Sequence, residues 1–465
     1  MRKVSISLLL LCALSSAQKP ADIIVSAGTV VTMDASGSVI RNGAVAVSRG
    51  VILAVGTKAE IDKAYKAKAR IDRPDAIVLP GLINAHTHAP MSLLRGLADD
   101  VNLRDWLRNY IFPAEAKNVN PEFVRWGARL AILEMLLGGT TTYTDMYYFE
   151  DDIAEVTKQA GMRGVLGQTI IGFPAPDYKT PEAALAATEK FILKWKNDPL
   201  ITPAVAPHAV YTNSVETLKA SSALADKHGV PLLIHVSETQ AEDAQVFDKH
   251  RQSPTRLLAE NNAIAKRSVF AHGVWIKPED RPLLVEHKVG VVHCPGSNMK
   301  LGSGILPTAE FLKLGVRLGL GPDGPAGSNN DFSMFEEMDL AAKLAKATSS
   351  DLTAVSAKTV LEMATIGGAR ALQMDHLIGS IEAGKRADLI TVSTLAPHAV
   401  PAHDPYSMLV YSLKASDVQD VVIDGRTVLR NRQPLTLDPA AILRKARELR
   451  AVIDASIKAT PDPKR

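Results

Sequence analysis

PGLINAHTH, residues 80–88, follows the apolar run Ala76-Ile77-Val78-Leu79 and ends in two histidines one residue apart. Pro80-Gly81 breaks the run, and Leu82-Ile83 resume it before His86 and His88. In an extended strand, residues i and i+2 face the same side, with Cα atoms about 6–7 Å apart. Two imidazoles so spaced can reach one point. Imidazole is a common ligand of borderline metal ions, so the stretch supplies half a metal site. A pair of solvated loop histidines would show the same spacing, and the surrounding chain has to decide.

Outward from this stretch, β-branched apolar segments alternate with helical ones. Eight strands are predicted at about 82–86, 140–145, 164–171, 202–206, 231–236, 267–271, 289–293 and 316–321. Helix-like segments follow most of them, among them PEFVRWGARLAILEMLL (121–137), PEAALAATEKFILKWK (181–196) and SVETLKASSALADKHG (214–229). The last has Ser214 as its N-cap and Gly229 as its stop. Eight strand–helix units predict an α/β fold, a (β/α)8 TIM-type barrel, which gathers its chemistry at the C-terminal ends of its strands. An open doubly wound sheet fits less well, since no glycine-rich dinucleotide fingerprint follows the first strand. Residues 18–79 consist of short strand-like pieces separated by turns, as in a small antiparallel sheet, and residues 377–440 return to that style. The two pieces are expected to meet as one bipartite β-sandwich domain beside a barrel spanning 80–376. A C-terminal helix and tail take up 441–465.

The 465 residues, 46% hydrophobic, suit one large barrel plus a smaller appendage. The formal charge is +3, and removing Arg2 and Lys3 with a leader leaves +1. With no basic run, the chain is not built for nucleic acid, and small molecules are the expected partners. The start, MRKVSISLLLLCALSSAQ, has a basic head, an apolar core from about Val4 to Leu14, and small residues at Ser15 and Ala17. That pattern predicts a signal peptide over 1–17, cut before Gln18, and export to a bacterial periplasm. The apolar run is well short of the ~20 residues that span a bilayer, so no stable membrane insertion is expected. Leu11 is too large for the small-residue site that a lipid-modified Cys12 needs. Cys294 is then the one thiol of the mature chain, and it has no partner for an internal disulfide. Self-association into a homo-oligomer is compatible with all of this.

Polar residues collect at the predicted strand tips. His86 and His88 close strand one, His208 follows strand four, and His235 ends strand five with Glu238 three residues on. His272 ends strand six, His293 strand seven and Asp323 strand eight. The chain resembles the amidohydrolase superfamily over nearly its whole mature length. The resemblance is carried by PGLINAHTH, IHVSE (234–238), AHG (271–273), GPDG (321–324) and GSIEAGKRADLI (379–390). Within that superfamily, INAHTHAPMSLLRG (83–96), CPGSNMKLGSGI (294–305) and GPDGPAGSNN (321–330) are most similar to the 5′-methylthioadenosine/S-adenosylhomocysteine deaminases.

The resemblance implies one divalent metal held by His86, His88, His235 and Asp323, with Glu238 and His272 acting beside it. His208 stands where binuclear relatives carry a bridging lysine or glutamate, which implies one metal rather than two. Zinc is the default and iron(II) the alternative, because nitrogen and oxygen ligands discriminate poorly between them. The implied chemistry is hydrolytic deamination of an adenosine-type nucleoside. Asp323 ligates and accepts a proton from water, Glu238 protonates the ring nitrogen beside the attacked carbon, and His272 steadies the oxygen of the intermediate. The resemblance also implies that Trp106 and Glu115, in the long loop after strand one, face the ribose and that His208 meets the purine or sugar edge. Leu103, Trp106, Leu107 and Tyr110 share helical spacing, so Trp106 has a packing reading too. Gln168 stands where homocysteine-binding relatives carry arginine, which favours a neutral 5′-substituent or a different heterocycle altogether, while Arg163 reads as structural. Two other readings stay open. One is an aminohydrolase or chlorohydrolase of a guanine-, pterin- or triazine-type ring. The other is a non-catalytic barrel scaffold.

Overall fold

The computed structural model describes residues 18–458. The expected signal peptide, 1–17, therefore lies outside the described residues. Eight strands form a parallel sheet in strict sequence order: Leu82–Thr87, Thr140–Tyr147, Arg163–Ile170, Ile201–Pro207, Leu232–Val236, Ser268–His272, Gly290–His293 and Arg317–Leu320. All eight match the predicted strands to within two residues at the ends. The sheet curls into a nearly closed barrel. Beyond the last strand, the Asp323 amide donates to the His86 carbonyl at 3.2 Å, and Thr87 Oγ1 donates to the Asp323 carbonyl at 2.8 Å. The connecting helices sit where the sequence put them. Pro121–Leu137 and Pro181–Trp195 are capped by Asn120 and Thr180, while Val215–His228 runs from a Ser214 cap to Gly229 at φ 67°.

Alternation along the strands sorts two cores. Ile83, Ala85, Val165, Ala204, Ala206, Leu233, Val269 and Val292 share the barrel interior, while Leu232, Ile234, Phe270, Leu318 and Leu320 belong to the layer under the outer helices. Ile366, Ala369, Leu372, Met374 and Ile378 join the interior cluster, so the segment after the barrel plugs it.

The flanking pieces form one eight-stranded mixed sheet. Its order is Gln433–Pro434, Arg426–Arg430, Val418–Ile423, Leu389–Ser393, Tyr65–Pro80, Lys19–Val31, Val39–Ser48, Val51–Thr57. The two halves meet where Leu389–Ser393 pairs antiparallel with the end of Tyr65–Pro80, Ile390 opposite Leu79. The N-terminal part is not purely antiparallel as expected. Lys19–Val31 and Tyr65–Pro80 run parallel, because the chain reverses through Val39–Ser48 and Val51–Thr57 and then crosses back by the Lys58–Ala64 helix. The C-terminal helix is Pro439–Lys458, and no helix among the described residues is long and apolar enough to cross a membrane.

Candidate metal and catalytic site

The first strand delivers its histidines through an irregularity. Asn84 pairs with Tyr143 and Thr87 with Asp145, three steps on one strand against two on its neighbour. That bulge resets the alternation, so His86 turns inward directly after the inward-facing Ala85. Asn84 Oδ1 accepts from the His86 amide at 3.1 Å. His88 lies just past the strand end, and the two rings meet edge to face with centroids 5.0 Å apart. The fifth strand brings in His235 two residues above Leu233. On the eighth, Gly319 and Gly321 precede Asp323 at alternate positions. A Cβ on Gly321 would lie 2.8 Å from the His86 backbone nitrogen, so only glycine lets these strands approach this closely.

One atom from each of His86, His88, His235 and Asp323 lies within 4.8 Å of all the others, and all four residues are buried. His88 Nδ1 lies 2.8 Å from the Met146 carbonyl, and His235 Nδ1 lies 2.6 Å from the His208 carbonyl. A carbonyl can only accept, so each Nδ1 carries a proton and each Nε2 faces inward, the two 3.3 Å apart. His86 Nε2 has no hydrogen-bond partner, and Asp323 Oδ1 lies 3.3 Å from Nε2 of both His86 and His88. Three converging ring nitrogens and a carboxylate suit a cation between them, and this donor set fits a divalent ion. Burial lowers the pKa of His86 to about 4 and that of His235 well below the ordinary value, keeping both rings neutral. Burial opposes ionisation of Asp323 too, but the His86 and His88 rings beside it prevail and hold its pKa well below the usual carboxylate range.

Glu238 and His272 flank this cluster without belonging to it. Glu238 Oε2 lies 3.7 Å from His272 Nε2, and Oε1 accepts from Ser303 Oγ at 3.2 Å. Burial, aided by the charge of Asp323, pushes the Glu238 carboxyl up to about 8, while burial keeps His272 below its ordinary value. Non-glycine residues adopt left-handed backbone around the centre: Ser237 at φ 52°, His272 at 70° and Asp323 at 68°. Each such residue is strained, and strain of this kind clusters at functional sites.

The cluster opens into a cavity whose wall includes Trp106, Glu115, Tyr148, Thr169, His208 and Tyr211. Glu115 is buried at 2% exposure and accepts from Tyr147 Oη at 2.7 Å; burial raises its pKa to about 7. His208 sits with its Nδ1 3.1 Å from Thr212 Oγ1 and its ring centroid 4.9 Å from that of His235. Trp106 meets both of its readings. It lines the cavity, and its indole N–H is held by the Ala326 carbonyl at 2.8 Å, beside Leu103 and Leu107.

Gln168 needs correction: it does not line the cavity. Its neighbour Thr169 takes the inward position, so Gln168 faces away and its Nε2 donates to Asp177 Oδ2 at 2.8 Å. His293 alternates with the inward-facing Val292 and Cys294, and it too lies off the cavity wall. Residues the sequence reading missed include Tyr147 and Thr169, which carry no signal outside the fold. Ser297, Asn298 and Ser303, in contrast, lie inside the stretch already singled out at 294–305.

The amidohydrolase family model matches residues 77–428, and the chain belongs to the amidohydrolase family. Within that class its similarity is narrower. A Syntrophobacter fumaroxidans protein named 5-methylthioadenosine/S-adenosylhomocysteine deaminase is 46% identical over 433 residues, 93% of this chain and 98% of that protein. A Thermodesulfovibrio yellowstonii protein of the same name is 43% identical, covering 91% of this chain and 97% of its own. Among solved structures, an adenosine deaminase from Xanthomonas campestris with bound zinc superposes with a TM-score of 0.92 at 41% identity, covering 94% of this chain and all of that one.

Proposed function

We propose that this chain is a zinc-dependent aminohydrolase that converts adenosine-type nucleosides and water to the inosine-type product and ammonia. The observation that carries the reading is Glu238, a buried, proton-retaining carboxyl 3.7 Å from His272 beside four converging ligands. The names of the relatives supply the substrate class. Iron(II) would fit the same ligands.

When bound, the ion supplies Lewis-acid activation, bringing the pKa of a water near 7. The protein does the rest. Asp323 Oδ1 takes the proton of the attacking water. Glu238 donates its proton to the ring nitrogen beside the carbon under attack, making that carbon electrophilic. It then takes the hydroxyl proton of the adduct, passes it to the departing amine, and recovers its own from the proton held on Asp323. His272 hydrogen-bonds the oxygen on which negative charge develops. Glu115 accepts from the ribose hydroxyls, His208 meets the purine or sugar edge, and the Trp106 ring walls the pocket. Ammonia release from adenosine, 5′-methylthioadenosine, S-adenosylhomocysteine, guanine and cytosine is the direct test. Turnover of guanine or cytosine but of no nucleoside removes the reading.

For location, residues 1–17 support export to the periplasm. Purified mature protein should begin at Gln18, and an intact Met1 on protein from the cytosolic fraction would count against export.

A further inference from the structure

Three reacting groups enter the site from three different strands, yet one short segment touches all of them. Ser297 and Asn298 sit in the Pro295–Lys300 helix, and Ser303 follows in the next turn. Ser297 Oγ donates to Asp323 Oδ2 at 2.7 Å. Asn298 Oδ1 lies 2.9 Å from His272 Nδ1. Ser303 Oγ donates to Glu238 Oε1 at 3.2 Å. All three are at most 4% exposed. We propose that Ser297, Asn298 and Ser303 form a positioning platform that decides which atom of Asp323, His272 and Glu238 is left free to act. The proposal rests on the reading of those three groups given above.

Each contact has a definite chemical consequence. A hydroxyl donating to Asp323 Oδ2 leaves Oδ1 as the atom turned toward His86 and His88, which lie 3.3 Å from it. A hydroxyl donating to Glu238 Oε1 favours the acid proton on Oε2, the oxygen facing His272. An amide has a donor end and an acceptor end, so the side of Asn298 presented to His272 Nδ1 fixes whether Nε2 carries the ring proton. Asn298 Nδ2 has no partner among the described groups, and rotating the amide by half a turn gives it one in His272 Nδ1. That orientation puts the proton on Nε2, where it can donate to the developing oxyanion.

The platform is itself braced. Glu337 Oε2 accepts from the Gly296 amide at 3.0 Å, and Trp275 Nε1 donates to the Ser303 carbonyl at 2.6 Å. Lys300, between the two serines, donates to the Gly327 carbonyl at 2.8 Å and pairs with Asp99 in the loop over the mouth. A segment built only for packing has no need to aim three polar side chains at three reacting groups.

The test uses the full chain with two independent readouts. Ser297→Ala should weaken zinc binding, measured by chelator competition without substrate, by about 10–100-fold. Ser303→Ala should lower kcat on the best nucleoside by about 10–100-fold with KM nearly unchanged, and Ser303→Thr, which keeps the hydroxyl, should restore most of it. Unchanged zinc affinity in Ser297→Ala, or unchanged kcat in Ser303→Ala, overturns the proposal. So does a kcat loss that Thr fails to rescue while the thermal midpoint falls, since that is loss of packing. If the native chain deaminates no nucleoside, the functional reading fails and the zinc arm still judges Ser297. If Glu238→Gln is inactive but Ser303→Ala is not, the proposal alone fails.

Discussion

Glu238 holds a proton because it is buried, and its reaction needs that proton at the start. Replacing it with glutamine keeps the shape and leaves the four ligands alone. Glu238→Gln should therefore bind zinc like the parent while losing about 10²–10⁴-fold in kcat. With its pKa pushed to about 8, the carboxyl is protonated at neutral pH and ionises above it, so kcat/KM of the parent should fall as pH rises past about 8. A profile flat to pH 10, or an active Gln variant, would take the acid role away from this residue. Glu115 is tested by substrate choice: Glu115→Ala should raise KM for nucleosides and not for ribose-free bases, and an equal effect on both would remove the ribose contact. The four-residue cluster was legible because its members stand at or just past strand ends in short motifs, and the same pattern singled out Glu238. Gln168 was not, because its role turned on which of two adjacent strand residues faces inward. One residue of register decides that, and the sequence does not mark it.

Strands carry the site's geometry through close approaches that only particular residues allow. The eighth strand passes the first at Gly321, where an added methyl group would meet the His86 nitrogen and carbonyl oxygen at 2.8 Å. Backbone cannot swing aside as a side chain can. Gly321→Ala should therefore shift a ligand-bearing strand, lowering stability by about 1–3 kcal/mol and zinc affinity by at least about tenfold. Parent-like zinc affinity in that variant would show that the ligands do not depend on this contact. All eight strands were readable as short apolar runs between helical segments, six of them with a singled-out polar residue at or just past the tip. The bulge between Asn84 and Thr87 was not, although it turns His86 inward, because a bulge is a property of two strands paired together. The parallel pairing of Lys19–Val31 with Tyr65–Pro80 was hidden for the same reason.

At the scale of the molecule, the barrel and the flanking sheet are joined by a buried ion pair far along the strands from the chemistry. Arg163 opens the third barrel strand, at the end opposite the metal cluster, and is 1% exposed. Its Nε meets Asp388 Oδ2 at 2.8 Å, its Nη2 meets Oδ1 at 3.1 Å, and its Nη1 donates to the Pro199 carbonyl at 2.7 Å. Asp388 leads into the strand Leu389–Ser393, and its Oδ1 also accepts the Asp424 amide at 2.7 Å. The sequence reading set Arg163 aside as structural without naming a partner, since 225 positions separate the pair. Both charges are out of water, so removing one strands the other. Arg163→Met should lower stability by about 3–5 kcal/mol, read as a fall in thermal midpoint, with kcat/KM of the folded fraction unchanged. Adding Asp388→Leu should recover part of the loss, because two apolar groups leave no lone charge, though the Asp424 amide then lacks its acceptor. A single variant as stable as the parent would show that the two sheets are held together by apolar packing and backbone pairing alone. A double variant weaker than the sum of its parts would show that Asp388 holds the Asp424 turn more than it holds Arg163.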